Sequence, residues 1–380
     1  DAVVYVDGRR GGTGSTELVG TPGTSLTVRV ARPGYAEAER TIDVGRDAVS
    51  VAFNLDKPQV QGRIRAADAP FVRSLVSTAG LAIGADFGGT LFAAHPDGEI
   101  VWSRNTANAG NENSAPVLVG GNIAFSGAES LLVLDPATGR IVFERALAGG
   151  ESHLFGRTVV EAPDGIVLPY DDGLRVLTAS GDNIGSIRVD GGTSMSAAVD
   201  GATAFVANVR GELSAYDLNT GDTLWTVTTN VSQPIAVAPV IHGDTVFIAG
   251  RKGVIAAVDR SAQTLLWERS VGDAVFVTPV ANNEILYVYS GSTIYGLTVD
   301  DGEIGVGPIE NASTAVLLDG RDIWYGTTDG TLVRAGATSG RTSGTVRLDA
   351  PASATPVRVG ETIVVGLESG EIVSVHPDGM

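Results

Sequence analysis

Leu213-Ser214-Ala215-Tyr216-Asp217-Leu218-Asn219-Thr220-Gly221, with Trp225 four residues on, is the stretch whose reading decides the fold. Its first half reads as a short strand. Asp217 to Gly221 reads as a tight turn, and the chain then resumes as a second strand carrying Trp225. The same phrase occurs at Leu131-Leu132-Val133-Leu134-Asp135-Pro136-Ala137-Thr138-Gly139 and at Ile255-Ala256-Ala257-Val258-Asp259-Arg260-Ser261-Ala262-Gln263. Phe143 follows Gly139, Trp267 follows Gln263 and Trp102 follows Gly98 at the same distance.

Working outward, the turn position recurs at Gly98, Gly139, Gly181, Gly221, Gln263, Gly302, Gly340 and Gly379. A second ruler, the start of each unit's first strand, runs from Leu75-Val76 through Pro116-Val117, Thr158-Val159, Ala198-Val199, Pro239-Val240, Pro279-Val280 and Ala315-Val316 to Pro356-Val357. Both give eight units of about 40 residues, each with room for four short strands, which is the signature of a β-propeller. A helical repeat is disfavoured, because the apolar pattern has period two and Gly or Pro interrupts it. The last unit stops at His376-Pro377-Asp378-Gly379-Met380, where an outer strand should begin. An unassigned strand precedes the first unit, around Val60-Gln61-Gly62-Arg63-Ile64-Arg65. Residues 59–66 are therefore expected to supply the last unit's outer strand, closing the ring and hiding its final edge.

The phrase Leu-x-x-Leu-Asp-x-x-Thr-Gly-x-x-x-Trp resembles the pyrroloquinoline-quinone-type repeat over residues 58–380. The resemblance implies an eight-bladed propeller whose aromatic residues pack between blades. Trp102, Phe143, Trp225 and Trp267 take that structural role. Gly185, Val306 and Gly344 depart from it, which predicts weaker junctions there. Residues 1–55 fall outside the period. Ala2 to Gly8, Leu26 to Val30, Thr41 to Val44 and Val49 to Phe53 read as strands, with turns at Asp7-Gly8 and Pro33-Gly34. The order Val4-Tyr5-Val6-Asp7-Gly8, Gly20-Thr21-Pro22 and Arg32-Pro33-Gly34-Tyr35 resembles the PEGA domain, which implies a small β-sandwich. Such domains occur on bacterial surface proteins and in extracytoplasmic parts of some Ser/Thr kinases. The division expected is residues 1–55 and 56–380, joined by the short Asp56-Lys57-Pro58 with limited mobility between them.

Composition narrows the function. The 380 residues include 50 Gly and no Cys, and their net charge is −18. Without Cys there are no disulfides, thiolate metal sites or cysteine nucleophiles. The acidity opposes nucleic-acid binding, which needs a basic footprint. No apolar run approaches the ~20 residues that cross a bilayer. Lys occurs only at Lys57 and Lys252. That bias toward Arg reflects a GC-rich genome, and the acidic excess suits a salt-adapted surface. The chain begins at Asp1 without a visible signal peptide and reads as a processed protein or a fragment.

Catalytic signatures are lacking. HExxH, GxSxG and P-loop motifs are all missing. His95 and His376 occupy the turn slot of Asp135, Asp217 and Asp259, and His242 sits in a hairpin. Tyr170-Asp171-Asp172-Gly173 and Asp300-Asp301-Gly302 are only fragments of a calcium loop. Quinone enzymes that share the repeat are longer and hold quinone and calcium with adjacent cysteines and a Glu, Asn and Asp set. Glu112 between Asn111 and Asn113 is the nearest approach to such a set, so no cofactor and no catalytic or metal residue is expected.

Irregularity gathers in the connections between units and in the loops from second to third strands, which a propeller brings to one face. Binding favours irregular loops on a rigid scaffold. Asn111, Glu112, His153, Phe155, Met195, Arg251, Lys252 and Phe276 are the candidates for a contact surface on that face. The expected function is a non-catalytic, extracytoplasmic binding, sensor or scaffold module. It would bind a protein, peptide or small molecule and reach the membrane only through segments outside this chain. One setting is the ectodomain of a membrane-anchored protein such as a bacterial Ser/Thr kinase. The alternatives are an envelope scaffold similar to the propeller lipoprotein of outer-membrane assembly, and a small quinoprotein enzyme.

Overall fold

The computed structural model describes residues 2–14, 16–31, 38–46, 50–53, 60–68, 70–71, 74–106, 115–126, 130–147, 159–170, 172–192, 196–231 and 237–379. The chain divides into two compact units, one of Asp1–Gln61 with Val375–Met380 and one of Gly62–Ser374.

In the larger unit, short turns join strands that pair antiparallel in chain order. The first sheet comprises Val76–Thr78, Leu81–Ala85, Thr90–Ala94 and Ile100–Asn105. Six more sheets repeat this order among the described residues. The eighth is Val357–Val359, Thr362–Gly366 and Glu371–Val375, with Val60–Arg65 as its fourth strand. The first strands of successive sheets lie side by side, and that of the eighth lies beside that of the first. The ring is therefore closed and the fold is a β-propeller.

Burial follows position in the sheet. Second strands such as Leu81–Ala85 and Thr362–Gly366 are buried along their whole length. Both their faces meet a neighbouring sheet, so they read as unbroken apolar runs. Outer strands such as Ile100–Asn105 and Ile141–Ala146 alternate between half-buried and exposed positions, because one face looks into a junction and the other into water.

The outer-strand aromatic is one member of a lateral row that faces the following sheet. In the first sheet the row is Ile83, Ala93, Trp102; in the fourth, Phe205, Ala215, Trp225; in the fifth, Phe247, Ala257, Trp267. A small central residue makes room for the ring beside it. The seventh sheet inverts the pattern, with Trp324, Arg334 and Gly344 in register. Trp324 is fully buried, and the Arg334 guanidinium lies 5.7 Å from its ring. Arg334 in turn pairs with Asp322. Sequence reading expects a weak junction at Gly344; the structure instead shows the bulk moved inward along the row.

The smaller unit holds a four-stranded sheet ordered Arg9–Thr13, Val3–Val6, Ser25–Ala31, Ala38–Asp43. Val4, Val28 and Val30 form its core, with Leu18, Leu26, Ile42 and Phe53 packed around them. Asp7 and Gly8 both have positive φ, and the Asp7 carboxylate accepts the Thr27 amide at 2.9 Å, which anchors the first hairpin. Residues 50–53, expected as a strand, have no strand pairing, yet Phe53 still covers the apolar face.

Candidate functional site

The loop face is built on turns that fix their own backbone. Asn208 is buried; its carbonyl oxygen accepts the amides of Arg210 and Glu212, at 2.9 and 3.0 Å, and its NH2 donates to the Asp190 carbonyl at 2.8 Å. Asp86, also buried, accepts the Thr90 amide at 2.7 Å in the first sheet. Each closes its own turn, and Asn208 also ties its turn to the connection that precedes the fourth sheet.

The most complete part of this face surrounds the connection from the fifth to the sixth sheet. The turn Gly250–Gly253 closes through the Gly253 amide on the Gly250 carbonyl at 3.0 Å. Gly253 has φ +70, and a Cβ there would stand 2.4 Å from the Asp273 carbonyl, so only glycine lets the connection pass. The Ser290 hydroxyl donates to that carbonyl at 2.6 Å, and Val275 bridges Ser290. This lacing presents Phe276, which remains 42% exposed, with the Arg251 guanidinium 5.6 Å from its ring. Lys252 follows on the same turn. An exposed aromatic beside an Arg suits a partner surface, where aromatic and Arg residues are enriched.

Of the eight candidates, Arg251, Lys252 and Phe276 fall together here. Asn111, Glu112, His153, Phe155 and Met195 lie outside the described residues. Sequence reading places the turns Asp86-Phe87-Gly88 and Asn208-Val209-Arg210 on this face without singling out Phe87 and Val209, whose side chains are exposed at the tips of those turns in the first and fourth sheets. An apolar residue between turn formers, as in Asp86-Phe87-Gly88 and Asn208-Val209-Arg210, was the available signal.

Two histidines serve the scaffold. His242 Nε2 lies 3.1 Å from Asn283 Oδ1 of the next sheet, and His376 is buried with Nδ1 accepting the Asp378 amide at 3.2 Å. His153 is outside the described residues. Asp135 accepts the Thr138 hydroxyl at 2.7 Å and amide at 2.8 Å. Those bonds, the hydroxyl's first, hold its pKa below the ordinary carboxylate value. Asp301 is held down likewise, chiefly by Thr298, and Asp329 by Thr327. These are turn-closing groups. Among the described residues no three His, Asp or Glu side chains gather to hold a metal.

The blade-docking residues occupy the junctions. Trp102 Nε1 donates to the Pro136 carbonyl at 2.8 Å, and Trp267 Nε1 to the Val299 carbonyl at 2.8 Å, in both cases on the next sheet's turn. A Cβ on that turn's glycine would stand 2.6 Å from the Trp102 ring at Gly139 and 2.6 Å from the Trp267 ring at Gly302. Phe143 covers Gly181 in the same way, at 2.8 Å. Trp225 lies against Phe205, with ring centroids 5.8 Å apart.

Comparison with known proteins agrees with this architecture. The family model described as outer membrane protein assembly factor BamB matches residues 88–304 and 209–379. The PEGA domain model matches residues 1–59. A comparison with curated proteins gives no match. Among solved structures, the computationally designed Ika8 protein is 14% identical, with a TM-score of 0.70 over 84% of this chain and 100% of that one. BamB from Moraxella catarrhalis is 15% identical, with a TM-score of 0.65 over 83% of this chain and 99% of that one. At these identities the likeness speaks for the fold. The repeat match spans most of the chain, and the protein belongs to the PQQ-type repeat family described as outer membrane protein assembly factor BamB, with a PEGA domain at its N-terminus.

Proposed function

We propose that this chain is a non-catalytic binding and scaffold module of the cell envelope, working outside the cytoplasm, with residues 1–55 and 56–380 as its two modules. The observation that carries the reading is the laced turn and connection of residues 250–278. It holds Phe276 exposed beside Arg251 on a rigid ring. The family model and the PEGA match support the envelope setting. Partner contact runs through Arg251, Lys252 and Phe276, with Phe87 and Val209 extending the same face. Asn111, Glu112, His153, Phe155 and Met195 belong to the same proposed surface by sequence. The PEGA domain favours the ectodomain of a membrane-anchored signalling protein, such as a bacterial Ser/Thr kinase, as the setting. The likeness to BamB favours a second reading, a scaffold for envelope assembly.

Site-specific photocrosslinking in intact cells tests the contact face. A photoreactive residue at position 276 should give one dominant adduct, weakened by Arg251→Glu with Lys252→Glu. A photoreactive residue at the exposed rim position Leu265 should not give it. Equal adduct patterns from 276 and 265 would refute the assignment.

A further inference from the structure

The third junction lacks the side chain that covers the turn glycine at four of its counterparts. Gly139, Gly181, Gly302 and Gly340 are each covered by a side chain from the preceding outer strand, at 2.6, 2.8, 2.6 and 2.7 Å from where a Cβ would stand. Above Gly221 the nearest atoms are Ser186 O at 3.8 Å and Ile187 Cγ1 at 3.9 Å. The cause is visible in the row behind it, Val167, Val176 and Gly185, which holds no aromatic residue. Buried Tyr216 fills part of the same junction. The rest stays open as a cavity of about 190 Å³ bounded by Pro163, Val176, Ile184, Ala202, Leu218 and Asn219. Trp102 and Trp267 donate to the carbonyl of the second residue of the next turn, Pro136 and Val299. In the fourth sheet's turn that residue is Leu218, one of those bounding the cavity.

We propose that this slot receives the indole of a tryptophan presented by a partner polypeptide, with its N–H donating to the Leu218 carbonyl. The occupant would complete the third junction as Trp102 completes the first and Trp267 the fifth. An indole is the group that two equivalent slots of this molecule already hold by the same bond. A polypeptide is favoured because flanking residues would cover Ile184, an outer-strand residue that borders the slot and is 55% exposed. The slot is separate from the turns bearing Arg251 and Lys252, so the two readings stand or fall independently.

The test is titration of the full chain with N-acetyl-tryptophanamide, followed by amide NMR. Saturable shifts are expected at Ile184, Ala202, Leu218 and Asn219. The N1-methyl analogue, which cannot donate, should bind about fivefold more weakly. Gly185→Trp should fill the slot from within and abolish the shifts. Position 185 has no positive φ, and its Cβ would meet nothing nearer than Val176 at 3.7 Å. Ile184→Glu, at an exposed position, is the second variant and should weaken binding by about fivefold. A pentapeptide with central Trp and flanking Val should bind about tenfold tighter than the amide and lose binding when Trp becomes Ala. Unsaturable shifts, undiminished binding in both variants, or a peptide no tighter than the amide would each overturn the proposal.

Discussion

Gly139→Ala tests whether aromatic docking onto the turn glycine holds successive sheets together. Two costs are separable. Gly139 has φ +64, where an L-residue pays about 1–2 kcal/mol for the approach of Cβ to the carbonyl. The new methyl would also stand 2.6 Å from Trp102 Cδ2 and 2.8 Å from Cε3, roughly 1 Å inside ordinary contact. The ring cannot slide freely, because its N–H is bonded to Pro136 at 2.8 Å. Overpacking of this kind costs about 1–3 kcal/mol, for a total of about 2–5 kcal/mol. Gly120→Ala supplies the reference: φ is +56 there and nothing lies within 4 Å, so only the backbone cost of about 1–2 kcal/mol applies. The assay is urea unfolding of the full chain by far-UV circular dichroism, with Gly139→Ala made alone and in Trp102→Ala. Without the ring, the cost of Gly139→Ala should fall to that of Gly120→Ala. A cost unchanged within about 0.5 kcal/mol between the two backgrounds would refute the docking argument.

Acid should weaken the repeat turns. Asp135, Asp301 and Asp329 have pKa values held below that of an unfolded Asp, about 3.9. Their contribution is therefore full above that value and is lost as pH falls through the folded pKa; urea midpoints measured from pH 6 to 3 should drop less steeply in the triple Asp→Asn variant. In base the sign reverses: burial pushes the Tyr287 phenol up to about 12, so its contribution is full below the unfolded value of about 10 and is lost as pH rises through 12. Tyr287→Phe should flatten the loss of stability from pH 9 to 12, and should cost about 1–3 kcal/mol at pH 7 by stranding the buried Ala337 carbonyl that the phenol bonds. Added pyrroloquinoline quinone with calcium should leave the thermal midpoint unmoved; a saturable rise would restore the enzyme reading.

The ring was legible in the sequence because its signal is local. Asp135 to Gly139 and Asp217 to Gly221 encode turns within a few residues, and repetition multiplies that signal. Trp102 and Trp267 were legible for the same reason, standing at a fixed offset from a turn. Trp324 was not. Its role depends on lateral registry with Arg334 and Gly344 across two strands, and no fixed spacing announces it. The open slot was only half legible. Gly185 marked a missing aromatic, yet Gly344 marked one too. Only the rows behind them distinguish Trp324 with Arg334 from Val167 with Val176. Phe276 was legible as a loop aromatic, but its exposure follows from the Gly253 and Ser290 contacts that lace the connection.

The outer edges decide where such a molecule can be bound. Seven outer strands, those of the first seven sheets, carry register irregularities. In the first five the extra residue is Val101, Val142, Ile184, Leu224 or Leu266, immediately before the docking position, and each is exposed. A bulge bends its strand and disrupts the ladder a new strand would extend, so these edges oppose strand addition despite their apolar side chains. The same bulge fits one inward residue to the next turn, as Trp102 fits Gly139. Protection of the edge and closure of the junction thus come from one local distortion. Binding is left to places the distortion does not guard: the turn tips around Phe276, and the third junction, where the bulge at Ile184 precedes a glycine and the seat stands open.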